Sequence, residues 1–95
     1  MIANINDTYD VVIAGGGPAG SSLAIRLALA DISVLLVEQK KFPRDKLCGE
    51  FISPGCLVHF EELGVSATIA SAGGTRLLEA VCYKRNGKGL RIKSE

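Results

Sequence analysis

Residues 9–20, Tyr9-Asp10-Val11-Val12-Ile13-Ala14-Gly15-Gly16-Gly17-Pro18-Ala19-Gly20, join a short apolar run to a cluster of glycines. An apolar run stopped by glycine suits a strand buried on both faces of a parallel sheet. Pro18 then opens a helix, where proline is favoured at the first position. Ala19, Leu23, Leu27 and Ala30 fall at i, i+4, i+8 and i+11, which is one face of a helix from Pro18 to Ala30. Ser33 to Val37 is a second run rich in valine and leucine, closing at Glu38. Residues 1–38 therefore predict strand, glycine turn, helix, strand: a βαβ unit of the Rossmann-like α/β class.

Within that unit Gly15, Gly17 and Gly20 form G-x-G-x-x-G, and each glycine has its own task. Gly15 permits the tight turn out of the strand, Gly17 keeps side chains away from an approaching pyrophosphate, and Gly20 lets helix and strand pack closely. Phosphates would then face the unpaired N–H groups at the helix N-terminus. Glu38 follows Gly15 by 23 positions at the end of the second strand, where its carboxylate can accept hydrogen bonds from both hydroxyls of an adenosine ribose. A glutamate there argues for a free 2′-hydroxyl, because a 2′-phosphate would be repelled. Glycine turns also occur for purely steric reasons, and what separates this one from them is its context of strand, helix, second strand and acidic residue.

Beyond Glu38 the chain changes character. Gln39 to Ser53 is a polar connection too long for a simple turn. Ser53-Pro54 reads as an N-cap and first helical residue, and Gly64 as a stop, giving a helix from Pro54 to Leu63. A short helix from Ser66 to Ala72 follows, then a strand from Thr75 to Tyr83. Asn86-Gly87 signals a hairpin whose return strand runs from Gly89 to Lys93. The expected organisation is thus 1–38 as the βαβ unit, 39–74 as a loop with helices, and 75–95 as the start of a β-hairpin.

With 95 residues the chain makes one small domain at most. Apolar residues are 47% and charged residues 22%, a balance that describes a globular chain and not a disordered one. The net charge of +1, with basic and acidic residues interspersed, lacks the field that draws nucleic acid. Cys48, Cys56 and Cys82 are odd in number and contain no C-x-x-C pair, so they read as reduced thiols; with His59 the lone histidine, no metal site is expected. Cys56 and Cys82 suit core packing and His59 a surface position. No leader or membrane-spanning run is visible, and the cytoplasm is the expected compartment.

Gly-Gly-Gly-Pro-Ala-Gly-Ser-Ser-Leu-Ala, followed by Val-Leu-Leu-Val-Glu, resembles the FAD-binding N-terminus of the flavoprotein monooxygenases. The stretch from Lys41 to Pro54, containing Phe42-Pro43-Arg44, Lys46 and Cys48-Gly49, is similar to that of geranylgeranyl reductase-like and flavin-dependent halogenase-like enzymes. The resemblance runs from Asp7 to about Gly64. It implies FAD as cofactor, NAD(P)H as electron donor, and a small-molecule substrate, isoprenoid or aromatic, with peripheral membrane contact open to the parent enzyme. It further implies that Gly15, Gly17, Pro18, Ala19 and Gly20 border the cofactor, with Glu38 on the adenosine ribose, Arg44 near the ribose or pyrophosphate, and Cys48, Gly49 and Phe51 toward the flavin. Of these, residue chemistry independently supports Glu38 and suggests Arg44, a planar donor suited to phosphate oxygens. Cys48 reads equally as a flavin-facing thiol or as a small packed residue.

One position departs from the pattern: Asp31 stands where these enzymes usually have a glycine in left-handed conformation after the helix. Nothing after Glu38 reads as a further βαβ repeat, and the second flavin motif of the resembled enzymes, a Gly-Asp pair, is missing. The expectation is an incomplete FAD-binding domain of a flavin-dependent oxidoreductase, with no catalytic residue among these 95 and no turnover on its own. A non-catalytic nucleotide-binding remnant and an NAD-binding dehydrogenase fragment are the alternatives.

Overall fold

The computed structural model describes residues 8–48 and 51–93. Strands β1 (Val11–Ala14) and β2 (Val34–Val37) pair in parallel, Val11 opposite Val34 and Ala14 opposite Val37, with helix α1 (Pro18–Leu29) as the crossover. Backbone bonds continue the ladder past both ends, from Val11 N to Ser33 O at 3.1 Å and from Gly15 N to Val37 O at 2.7 Å. At the lower end the Asp10 carboxylate accepts from the Ser33 amide at 3.1 Å and its hydroxyl at 2.9 Å, while the Asp10 amide donates to Ser33 Oγ at 2.8 Å. These bonds staple the starts of the two strands. They also hold the Asp10 carboxyl below its ordinary pKa, the Ser33 amide contributing most.

Helix α1 ends in a Schellman motif. Ile32 N donates to Leu27 O at 3.0 Å and Asp31 N to Ala28 O at 3.0 Å, so the last carbonyls find partners. Asp31 between them has φ +58, the left-handed conformation expected at this position, adopted here by an L-residue instead of glycine.

The second half matches the sequence reading in outline and departs from it locally. Residues Pro54–Cys56 form a 3₁₀ turn that leads into α2 (Leu57–Leu63), so the expected single helix from Pro54 has a tighter first turn. Gly55 has low α-helical propensity, and the Ser53 carbonyl takes an i+3 bond from Cys56 N at 3.0 Å. Ser53 holds the N-cap position without a side-chain cap; its Oγ lies 3.5 Å from Cys56 Sγ. Gly64, at φ +73, stops α2, and α3 follows at Ser66–Ser71.

Strands β3 (Glu79–Tyr83) and β4 (Gly89–Lys93) make an antiparallel hairpin, Glu79 opposite Lys93. β3 begins four residues later than the Thr75 start expected from sequence. Gly87 N bonds Lys84 O at 2.9 Å and Lys84 N bonds Lys88 O at 2.7 Å, with Gly87 at φ +86, a three-residue loop whose left-handed position needs glycine.

Burial is where sequence and structure part. β1 was expected to be covered on both faces, yet among the described residues only Ile13 is a buried hydrophobic, at 8% exposure, and Val12 is 62% exposed. Alternate side chains of a strand point to opposite faces, and α1 covers the Ile13 side alone. Cys82, expected in the core, is exposed, because the hairpin packs on no other described element. The chain exposes 8591 Å², against the roughly 5,200 Å² of an ordinary folded monomer of this mass. No helix among the described residues is long and apolar enough to cross a membrane.

Candidate functional site

The carboxyl ends of β1 and β2 face an open cleft lined by Ala14, Gly15, Val37, Glu38, Gln39 and Arg44. Open α/β sheets bind ligands at this end of their strands. Gly15 turns the chain out of β1 with φ +109, which an L side chain rarely adopts. Gly17 is the N-cap of α1 in an ordinary extended conformation, φ −72 and ψ −173, and no side chain caps this helix end. Its carbonyl accepts the first helical bond, from Ser21 N at 2.9 Å, and a second from Ser21 Oγ at 2.7 Å. At Gly20 an added Cβ would run into the Gly15 carbonyl oxygen and lie 3.2 Å from Ile13 Cγ2. Glycine is required there for packing between helix and strand.

Glu38 is fastened beside this turn. Its Oε1 accepts from Gly16 N at 3.0 Å, its Oε2 from Lys40 N at 2.7 Å, and the Arg44 guanidinium stands 3.4 Å from Oε1. These donors, the Lys40 amide first and the Gly16 amide next, hold the Glu38 carboxyl below its ordinary pKa. The side chains of Glu38 and Arg44 are 16% and 23% exposed. Arg44 also lies over the Phe42 ring, 5.4 Å from its centre, which fixes its approach to the cleft.

The structure thus brings Gly15, Gly17, Gly20, Glu38 and Arg44 to one end of the sheet. Pro18 and Ala19 occupy the exposed first turn of α1 above it. Cys48 and Phe51 are exposed and do not line this cleft; Gly49 lies outside the described residues. Three contributors went unnoticed in the sequence: the amides of Gly16 and Lys40 on Glu38, and Lys46, whose Nζ lies 3.1 Å from where a Gly17 Cβ would stand, with Arg44 Nη2 at 3.8 Å. No periodicity signals the last, because Arg44 and Lys46 lie in a stretch without regular structure.

A larger cleft lies between α1 and α2, lined among others by Ser22, Arg26, His59 and Leu63. Its charged groups satisfy one another: Arg26 Nη2 reaches Glu62 Oε2 at 2.8 Å and His59 Nδ1 at 3.2 Å. His59 is at the surface, as its sequence context suggests.

A parallel βαβ unit with a glycine turn, an uncapped helix N-terminus and an anchored glutamate at the strand ends defines a dinucleotide-binding domain. The chain belongs to the FAD binding domain family, which it matches over residues 8–91. It is similar to menaquinone reductase of Mycobacterium tuberculosis (strain CDC 1551 / Oshkosh), 39% identical over 67 residues, which takes in 70% of this chain and 16% of that protein. It is also similar to digeranylgeranylglycerophospholipid reductase of Sulfolobus acidocaldarius, 46% identical over 59 residues, covering 60% and 12%. Among solved structures the myxobacterial chondrochloren halogenase CndH, an FAD-dependent halogenase, superposes with a TM-score of 0.79 at 28% identity, over 90% of this chain and 20% of that one. The chain therefore spans about a sixth of the length of the menaquinone reductase it matches.

The residues present suit FAD. Gly17 presents no side chain above the turn, and the movable tips of two cations, Lys46 and Arg44, stand over it. Both features fit an anionic pyrophosphate.

Proposed function

We propose that this domain holds the adenosine and pyrophosphate half of FAD, with Glu38 on the ribose hydroxyls and the phosphates over Gly17 at the N-terminus of α1. The observation that carries this is the fastening of Glu38 to the glycine turn through Gly16 N. That bond sets the carboxylate against the phosphate-binding loop, the separation an adenosine diphosphate moiety has to bridge. The Lys40 amide on Oε2 and Arg44 beside Oε1 add to that bond and keep Glu38 ionised, without using up the roughly four acceptor sites of the carboxylate. Ala19 and Pro18 border the phosphates, while Cys48 and Phe51 continue toward the flavin end.

Bound FAD supplies two-electron redox chemistry, and the protein supplies position and electrostatics. The parent enzyme is an oxidoreductase that takes hydride from NAD(P)H. Similarity to a digeranylgeranylglycerophospholipid reductase supports an isoprenoid alkene as acceptor, and similarity to an FAD-dependent halogenase supports the alternative, dioxygen-dependent chemistry. Its place is the cytoplasm, with the substrate drawn from solution or from a membrane surface. The 95 residues alone are not expected to turn over, since most large apolar side chains among the described residues are exposed and not gathered around a flavin.

Glu38→Ala in the full-length protein tests the assignment. Loss of the charge-assisted bonds weakens FAD binding by about ten- to hundredfold. Unchanged affinity in a calorimetric titration removes Glu38 from the site.

A further inference from the structure

Lys46 lies in a stretch without regular structure, within the polar connection from Gln39 to Ser53. In the structure its ammonium comes back over the glycine turn, 3.1 Å from the position a Cβ on Gly17 would take. Arg44 Nη2 is the other side-chain atom near that point, at 3.8 Å. The two cations differ in what they do. Arg44 is committed on one side to Glu38 Oε1, at 3.4 Å, and is steadied by the Phe42 ring. Among the described residues Lys46 has no carboxylate within ion-pairing distance. An ammonium held next to another cation, above a helix N-terminus that itself carries partial positive charge, sits in a field that repels it. An anion placed over Gly17 would relieve that repulsion at all three groups together.

We propose that Lys46 is a pyrophosphate-binding residue of this domain, closing with Arg44 over the Gly17 turn to form a two-cation clamp on the dinucleotide. The proposal rests on the assignment of this site to FAD. It separates the labour along the cofactor. Glu38 recognises the ribose, the helix N-terminus and Gly17 seat the phosphates from below, and Lys46, whose ammonium stands over Gly17 where they would sit, gives way and pairs with them from the solvent side. Lysine suits that role as a compact charge on a flexible stem, able to move aside while the cofactor enters and to return over it. Because Lys46 is exposed, its contribution is screened by salt, in contrast to that of the more enclosed Arg44.

The test compares Lys46→Met with wild type in the full-length protein, using FAD, ADP and adenosine as probes in calorimetric titrations at low and high salt. FAD and ADP should each bind about five- to twentyfold more weakly to the variant. Adenosine, which has no phosphate, should bind both proteins alike, and the salt dependence of FAD binding should be shallower in the variant. Lys46→Arg should restore most of the affinity. Equal FAD and ADP affinities for wild type and Lys46→Met overturn the clamp and leave the site standing. So does an equal loss for adenosine, which would mark a structural role. A wild-type protein that binds none of the three, or whose FAD affinity survives Glu38→Ala, overturns the site assignment and the clamp with it.

Discussion

Replacing Gly20 and Gly17 by alanine separates what folds this unit from what binds its cofactor. A Cβ at Gly20 meets the Gly15 carbonyl oxygen, comes within 3.0 Å of the Gly15 carbonyl carbon and lies 3.2 Å from Ile13 Cγ2. The Gly15 peptide is tied to β2 through its bond to Val37 O, so no side-chain rotation relieves the clash. Overpacking of this kind costs up to about 3 kcal/mol, and the better helix propensity of alanine returns about 1 kcal/mol. The net loss is about 2 kcal/mol, near a thirtyfold fall in the folded-to-unfolded ratio. Gly17 is different. Its backbone is ordinary and its nearest neighbours are the tips of Lys46 and Arg44, which can move, so Gly17→Ala should change stability by less than about 1 kcal/mol. The added methyl stands where the pyrophosphate approaches, and FAD affinity should fall about tenfold or more. Urea unfolding of the apoprotein and FAD titration, run on both variants, give the two numbers. A Gly20→Ala protein as stable as wild type, or a Gly17→Ala protein that unfolds early yet binds FAD normally, would refute this division.

Asp31→Gly should stabilise the fold by about 0.5 kcal/mol, because relief of the left-handed strain at φ +58 outweighs the extra freedom glycine has when unfolded; the urea midpoint reads it, and a lower midpoint contradicts the Schellman assignment. Asp10 and Glu38 both have lowered carboxyl pKa values, so their stabilisation is full above the ordinary carboxylate range, about pH 4, and is lost as pH falls through their lowered values. Unfolding midpoints should therefore fall on acidification below that range, and Asp10→Asn should differ from wild type at pH 6 more than at pH 2.

The βαβ unit was legible because local rules and global fold agree in it. Hydrophobic runs, the Pro18 helix start, the three glycines and Glu38 each point to the same arrangement, and the structure places the ends of β1, α1 and β2 within a residue or two of the sequence reading. Asp31 was legible for the same reason, since the end of α1 demands a left-handed residue whatever its identity. Burial was not legible. Whether Val12 or Cys82 is covered depends on what packs against the strand, which an apolar run does not state. Site roles divided along the same line. Glu38 and Arg44 could be picked out by residue type and position, whereas the amides of Gly16 and Lys40 carry no side-chain signature. Lys46 is one of several basic residues in the polar connection, and only the return of the 41–48 segment brings it over Gly17.

A crystal structure of the full-length protein grown with FAD tests the site most directly. Both ribose hydroxyls are expected within hydrogen-bond distance of the Glu38 carboxylate, with the pyrophosphate over Gly17, against the first turn of α1. An FAD adenosine lying elsewhere, such as the cleft between α1 and α2 bordered by Arg26 and His59, with Glu38 still bonded only to its own chain, would contradict it.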